Sequence, residues 1–381
     1  MGLGWVDDAA FALGTELSVK QVLREGIRTT VARCWVDGPT TATGGARTVV
    51  AKCFRSRAMS HNSGGYGAVR EWAGLAAVPG APRLLAADLD HGVVVMEDLG
   101  SVPTLADLLA GDDGDAALEA AWVWGRSSAH QLTASREAVS RFSDLVRQAD
   151  PGTLTAGGPA SPRLPERGAA RLSAMLRLPG PACQRLDEEV ALLAGLDGVE
   201  GSRVCSQADP APDNLLVTGD GWVKAIDYEA ASYHHIAVDL VSLLTPWPAS
   251  GLLAGTPGEF QAAVMSGFGT AHGGLADLLD DPDLDPMTGL AAMSTALQMT
   301  ELTLEPLTRR EDVGRFSGGR SRLITLWRSA AEHAAAVTRT MAGACEQAAD
   351  TAAGTWGWPE ELPLYPCFDG RRDADSTTGS R

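Results

Sequence analysis

The sequence predicts an α+β chain with a β-rich N-terminal part and a larger, mostly α-helical C-terminal part. Three observations predict it. Apolar and β-branched runs separated by turn-rich stretches fill the first hundred or so residues. After Asp98-Leu99-Gly100 the apolar residues recur at helical spacing. A single β-hairpin flanked by carboxylates interrupts that helical region at 215–226. At 381 residues the chain exceeds the roughly 150 of an average domain and has ample length to bury a core.

In order, residues 21–23, 29–36 and 48–54 read as strands, with a turn-rich stretch at 37–46. A helix over 67–77 follows, then a strand pair at 83–88 and 92–97. Helical periodicity covers 105–110, 116–134, 135–148, 186–196, 258–267, 287–307 and 321–348. The hairpin runs 215–217, the turn Thr218-Gly219-Asp220-Gly221, then 222–226. Residues 150–168, rich in Gly, Pro, Ser and Thr, read as an exposed insertion, and 369–381 as a frayed tail. No internal repeat is visible.

Composition narrows the function classes. Hydrophobic residues at 45% and charged residues at 21% are ordinary for a globular protein and exclude wholesale disorder. The 31 basic against 48 acidic residues leave a net charge of -17, which argues against nucleic-acid and membrane-surface binding. No apolar run reaches the roughly 18 to 20 residues of a membrane span; the 236–244 run is short and carries Asp239. The N-terminal residues lack a basic n-region, so a cytoplasmic protein is expected. The six cysteines are scattered without a CxxC, so reduced thiols are expected rather than disulfides or a zinc site. The basic residues are 28 arginines and three lysines (Lys20, Lys52, Lys224), which makes a lysine within a strand noteworthy.

The chemistry concentrates around the hairpin. Asp209 and Asn214 span a short loop before it, and Asp227 follows its second strand, in Ala225-Ile226-Asp227-Tyr228-Glu229. Closing the hairpin brings Asn214 and Asp227 side by side. Two converging oxygen ligands, with waters and phosphates completing an octahedron, suit Mg²⁺. Asp209, at the head of the loop, is placed to orient and deprotonate an acceptor hydroxyl.

This arrangement resembles the catalytic and metal-binding loops of the protein-kinase-like fold as used by the aminoglycoside phosphotransferase and choline kinase families. Their pattern is His-Gly-Asp, four residues, Asn, a hairpin, then Ile-Asp-aromatic-Glu. Asp209, Asn214 and Ile226-Asp227-Tyr228-Glu229 match in spacing, and Pro212 falls where the families usually have proline. Gln207 and Ala208 depart from the pattern, standing in place of His and Gly. Upstream, Lys52 in Val49-Val50-Ala51-Lys52 matches the strand lysine that grips nucleotide phosphates, and Glu71 the helix glutamate that pairs with it. Val94-Val95-Met96-Glu97-Asp98-Leu99 resembles the interlobe hinge, with Met96 in it and the backbone at Glu97 and Leu99 as the adenine contacts. Trp124 to His130 is similar to the helix that precedes the catalytic core. A glycine-rich phosphate loop is absent; Gly26-Ile27-Arg28-Thr29-Thr30-Val31 offers one glycine and hydroxyls. The matches span about 26–239 in the right order.

Other features have plainer explanations. Asp239 matches a family aspartate and is either a helix N-cap or a support for the 209–214 loop. Adjacent His234 and His235 diverge and lack a third ligand, so no metal is expected there. The acidic 277–285 stretch reads as a solvated loop, with a cationic-amine site as the sharper alternative. Gly267-Phe268-Gly269 starts like a dinucleotide fingerprint, but His272 occupies the third glycine position and no strand precedes it. Trp122, Trp124, Trp247, Trp356 and Trp358 are simplest as packing residues, some of which could wall an acceptor pocket.

The resemblance implies a protein-kinase-like two-lobe fold: a nucleotide-binding lobe over 1–97, a catalytic and substrate lobe over 98–368, and a tail over 369–381. It implies an ATP- or GTP-dependent small-molecule O-phosphotransferase, with Lys52 and Glu71 on the phosphates, Asn214 and Asp227 on Mg²⁺, and Asp209 as base. The alternatives are a kinase for a metabolic alcohol, such as an amino alcohol, a sugar or a nucleoside-like compound, and a non-catalytic nucleotide-binding pseudokinase. Expected partners are the nucleotide and a small hydroxyl-bearing acceptor, with no nucleic acid and no membrane.

Overall fold

The structure is a computed structural model that describes residues 4–38, 41–55, 67–150, 157, 163–244, 254–309 and 318–369. The strand-forming runs of the N-terminal part order as α1 (Gly4–Leu13), β1 (Leu17–Glu25), β2 (Thr29–Val36), β3 (Thr48–Phe54), α2 (Gly67–Ala77), β4 (Leu84–Asp88) and β5 (Val93–Glu97). The five strands form one antiparallel sheet in the order β1-β2-β3-β5-β4. Alternation along the strands gives the sheet two apolar faces. Ala32, Cys34, Val49, Ala51, Val93 and Val95 pack with Val6, Ala9 and Leu13 of α1. The opposite face carries Val94 and Met96 toward Val69 and Ala73 of α2. Helix α1 was not expected; its apolar positions at i, i+3 and i+7 supply too short a repeat to be read without the sheet it covers.

The C-terminal part continues with α3 (Leu105–Ala110), α4 (Gly114–Ser135), α5 (Ala138–Ala149), α6 (Arg163–Leu176) and α7 (Gly180–Val190). Strands β6 (Arg203–Ser206), β7 (Leu215–Thr218), β8 (Trp222–Ala225) and β9 (Ser232–His235) come next, then α8 (Ala237–Leu244), α9 (Gly258–Gly269), α10 (Ala276–Leu279), α11 (Leu284–Thr308), α12 (Gly319–Ala334) and α13 (Arg339–Gly354). Thr104 and Asp107 form a reciprocal capping box on α3, and Asp113 caps α4 by accepting from Asp115 and Ala116 N–H groups. Strands β7 and β8 form the expected hairpin, Leu215 opposite Ala225. Strands β6 and β9 pair around it, Ser206 opposite Ser232, and so close the base of the loop that leads into the hairpin.

Three expectations are corrected. The helix expected over 321–348 is two, α12 and α13. The break is stabilised from outside the segment, because the Glu189 carboxylate of α7 accepts from the N–H groups of Thr340 and Met341 at 2.8 and 2.7 Å. The helix expected over 186–196 ends at Val190 and tightens into a 3₁₀ turn, Ala191–Asp197. Of the supposed insertion at 150–168, residues from Arg163 onward belong to α6, with Leu164 and Gly168 buried against the helical core. Residues 151–156, 158–162 and 370–381, and Trp247, lie outside the described residues.

Helices α4 and α9 cross at backbone contact through small residues. A Cβ on Gly125 would lie 1.9 Å from the Val264 carbonyl oxygen, and one on Gly267 the same distance from that of Trp122. Neither backbone can move without displacing its helix. Gly125→Ala is therefore expected to cost about 3 kcal/mol of unfolding free energy, read from chemical denaturation.

Candidate active site

Lys52 enters the protein interior from β3, between Val31 of β2 and Val94 of β5 in the register of the sheet. Its ammonium lies 2.8 Å from Glu71 Oε2 of α2, bonds the Asp227 carboxylate, and is 3.6 Å from Glu229 Oε2. Burial alone would favour the neutral amine, but Asp227, Glu71 and Glu229 outweigh it and hold the Lys52 pKa well above its ordinary value. Glu71 is fully buried and its Oε1 has no hydrogen-bond partner among the described residues. A buried ion pair with an unsatisfied oxygen contributes little to stability, so its presence points to chemistry.

Helix α2 is tied to the loop that carries Asp227. The Arg70 guanidinium donates to the Ala231 carbonyl at 2.5 Å. Gly74 lets the ring of Tyr228 approach so closely that a Cβ there would sit 2.8 Å from Tyr228 Cδ1. Gln131 of α4 donates to the Tyr228 hydroxyl at 2.9 Å. Asp227 itself adopts a left-handed backbone, φ 65°, which turns its carboxylate back toward Lys52.

Asn214 and Asp227 come together as the hairpin requires, with Ile226 N–H donating to the Asn214 carbonyl at 2.9 Å. Asn214 is buried and its Nδ2 donates to the Asp209 carbonyl at 3.2 Å, which leaves Oδ1 for a cation. Gln207 is buried and donates to the Ile226 carbonyl, joining the loop to the residue before Asp227. Ala208 takes φ 60°, a conformation that favours glycine. Its N–H donates to Ser206 Oγ at 3.1 Å. Asp239 lies in the first turn of α8 and bonds His234 Nε2 at 2.8 Å, while His234 Nδ1 is 3.0 Å from Ser232 Oγ. Asp239 thus braces the β6–β9 base of the loop rather than capping a helix, and His234 is a hydrogen-bonded core histidine.

The acids of this region crowd one another. Burial, then the charges of Asp227, Asp213 and Glu229, push the Asp209 pKa up to about 7, against a smaller lowering by Arg28. Beside Asn214 and Asp227 opens a cleft of about 490 Å³ between the sheet and the hairpin. Val31, Val50, Met96, Leu216 and Ile226 give it apolar walls, and Lys52, Glu71, Asn214 and Asp227 line its inner end. Glu97 and Leu99 also line the cleft, with Met96 at its back, but the Glu97 carboxylate turns away to accept from the Arg83 N–H at 3.0 Å. A pocket of this size with apolar walls and a few converging charges is the usual form of a small-ligand site.

Three arginines belong to the region and were not singled out from the sequence. Arg33 of β2 reaches the linker after β5, bonding Asp98 Oδ2 at 2.7 Å, the Gly100 carbonyl at 2.8 Å and Ser101 Oγ at 3.0 Å. Arg28 bonds Glu229 at 2.8 Å, and Arg24 lies 3.8 Å from Asp227 Oδ2. Among 28 arginines none carries a local signature; a charged residue facing inward within the alternation of β2 was the one available sign for Arg33. The segment read as a loose phosphate loop is a tight turn followed by β2, in which Thr29 and Thr30 are buried. In the acidic 277–285 stretch, Asp277 is held by both Arg136 amino groups at 2.8 and 2.7 Å.

The donor set fits a hard divalent cation. Among the described residues no three His, Cys, Asp or Glu side chains are grouped to hold a metal. Asn214 Oδ1 and Asp227 instead offer the two protein oxygens that Mg²⁺ commonly takes when substrate phosphates complete its shell. Asp227 already draws two cationic side chains toward it, as a metal-binding carboxylate would.

Two expected outcomes follow from the loop. Ala208→Gly removes the left-handed strain and raises unfolding free energy by about 1 kcal/mol in chemical denaturation. Asp209 has a folded pKa of about 7, above its ordinary 3.8, so the folded chain holds that proton more tightly than the unfolded one. Its contribution is therefore lost as pH rises from about 4 through 7. Asp209→Asn melts close to wild type near pH 4 and above it at pH 8; the reverse ordering would contradict the crowding.

No family model matches the sequence, and no curated protein matches it. Among solved structures, a protein from Ralstonia eutropha provisionally assigned as an aminoglycoside phosphotransferase superposes with a TM-score of 0.51 at 13% identity, over 90% of this chain and 97% of that one. A choline kinase from Streptococcus pneumoniae matches with a TM-score of 0.46 at 15% identity, over 88% of this chain and 99% of that one. A macrolide 2′-phosphotransferase from Brachybacterium faecium matches with a TM-score of 0.44 at 14% identity, over 89% and 96%. The first of these likenesses, together with the five-stranded sheet, the helical remainder and the cleft between them, shows that the chain has the two-lobe, protein-kinase-like α+β fold.

Proposed function

We propose that this chain is a small-molecule O-phosphotransferase of the aminoglycoside phosphotransferase and choline kinase type, which carries the γ-phosphoryl group of ATP or GTP to a hydroxyl of a small acceptor. Residues 1–97 form the nucleotide lobe, 98–368 the catalytic and acceptor lobe, and 369–381 a tail. The observation that carries the proposal is the convergence, at one end of one cleft, of Lys52 with Glu71 and Asp227 and of Asn214 beside Asp227, with Asp209 on the loop that leads to Asn214 and within reach of the Asp227 charge.

In this mechanism the purine lies between the apolar walls, against Met96 and the backbone at Glu97 and Leu99. Lys52, fixed by Glu71, orients the α- and β-phosphates. Asn214 Oδ1 and Asp227 hold Mg²⁺, which supplies charge neutralisation on the phosphates. Asp209 accepts the acceptor's hydroxyl proton as its oxygen bonds to the γ-phosphorus and the bond to the β,γ-bridging oxygen breaks. Most of the acceleration comes from positioning and charge, because phosphoryl transfer needs little covalent help from the protein. ATP and GTP are cytoplasmic donors, so we place the activity in the cytoplasm, and the charge of -17 turns the protein away from nucleic acid. No described helix is long and apolar enough to cross a membrane.

The test is thermal stabilisation by ATP and GTP with and without Mg²⁺, paired with phosphate-transfer assays over aminoglycosides, macrolides and amino alcohols. Wild type is expected to gain several degrees only with metal and nucleotide together. Asp227→Ala loses most of that gain, whereas Asp209→Ala keeps it and loses transfer by about 10³-fold or more. Wild-type turnover in both variants would rule the assignment out, and a wild type that responds to no nucleotide would leave a non-catalytic relative of these kinases.

A further inference from the structure

Resting on that functional reading, we infer that Arg28 is the clamp for the γ-phosphoryl group, taking by side chain the part that a glycine-rich loop plays by backbone. The turn between β1 and β2 cannot offer a backbone cradle. An anion-binding nest needs successive residues alternating between right- and left-handed conformations. Gly26, Ile27 and Arg28 have no left-handed member. The turn is also tied at both ends, since Gly26 N–H donates to the Thr29 carbonyl at 2.9 Å and the Arg28 carbonyl accepts from Arg55 N–H at 2.8 Å. The turn's contact with the site is the Arg28 side chain, which reaches Glu229.

Arg28 already spans the two lobes. Its guanidinium bonds Glu229, two residues beyond Asp227, at 2.8 Å, and Glu229 lies 3.6 Å from the Lys52 ammonium. The guanidinium is also close enough for its charge to act on Asp227 and Asp209. The two cations differ in how firmly they are held. Lys52 is buried and bound by three carboxylates, so it is held the more firmly of the two. Arg28 keeps a third of its side chain exposed and pairs with one carboxylate among the described residues, so it can exchange that partner at small cost. Arg24, 3.8 Å from Asp227, is positioned to follow.

Entry of a triphosphate brings anionic oxygens to this point. Arg28 exchanges Glu229 for two non-bridging oxygens of the γ-phosphoryl group, a planar fork-to-fork contact that a lysine cannot reproduce. A diphosphate lacks those oxygens and leaves the Arg28–Glu229 pair in place. During transfer the acceptor oxygen bonds to the γ-phosphorus, its proton goes to Asp209, and the bond to the β,γ-bridging oxygen breaks to release the nucleoside diphosphate. Arg28 stays on the moving group and balances its charge.

The experiment compares wild type, Arg28→Gln and Arg28→Lys in calorimetric titrations with Mg²⁺ and either ADP or the β,γ-imido analogue of ATP, and with the guanine pair. Each protein is the full chain, checked by melting temperature. Arg28→Gln is expected to weaken the triphosphate analogue by about 10- to 100-fold while the diphosphate changes by less than about 2-fold. Arg28→Lys falls between, and supplies the same discrimination should the glutamine variant fold poorly. Turnover in Arg28→Gln drops by about 10²-fold or more. Unchanged triphosphate affinity, or equal losses for both nucleotides, overturns the clamp while leaving the phosphotransferase reading intact. A wild type that binds neither nucleotide overturns both.

Discussion

The ammonium of Lys52 is the constraint on which the rest of the molecule depends. A cation with a side chain about one-twentieth exposed cannot remain charged without acids at contact distance, and its acids come from both lobes. Glu71 arrives on α2 from the sheet side, while Asp227 and Glu229 arrive from beyond the hairpin. Satisfying one charge therefore fixes the relative placement of the two lobes at that point. The neighbouring contacts do the same by other means. Arg70 on the Ala231 carbonyl and Tyr228 against Gly74 hold α2 to the Asp227 loop, so Glu71 stays opposite Lys52 without a ligand to order it.

That arrangement costs stability in a legible way. Five carboxylates, Glu71, Asp209, Asp213, Asp227 and Glu229, gather around Lys52, Arg24 and Arg28, and burial together with the neighbouring negative charge raises the Asp209 pKa. Two non-glycine residues of the same region, Ala208 and Asp227, hold left-handed backbone conformations. Strain and like-charge crowding concentrated in one region, while Trp327 in the helical core satisfies its indole N–H on Thr300, is the distribution expected where a site is held ready for a ligand.

The fold was legible wherever local pattern and tertiary role agreed. The strands β2, β3 and β5 and the hairpin follow from alternation and turn chemistry, and Lys52 stood out because lysine is rare in this chain. Asp209, Asn214 and Asp227 were legible because loop spacing and hairpin closure are local facts. What stayed hidden depends on distant partners. The division between α12 and α13 is imposed by Glu189 of another helix, and the β6–β9 pair joins segments separated by the entire hairpin. Arg24, Arg28 and Arg33 acquire meaning only from the carboxylates and carbonyls that the fold carries to them.

Gln207 and Ala208, which stand where the resembled pattern has His and Gly, each have a visible part in the loop. Gln207 delivers a buried donor to the Ile226 carbonyl, the bond that couples the Asp209 loop to the strand leading into Asp227. An amide makes that bond without a titratable ring, so the coupling holds its strength across the pH range in which an imidazole would change charge. Ala208 still turns left-handed, at a conformational cost glycine would avoid, and its N–H is taken up by Ser206. A motif read as letters has two mismatches here, and the path of the loop that carries Asp209 and Asn214 is set instead by the Gln207 bond to the Ile226 carbonyl and the left-handed turn at Ala208.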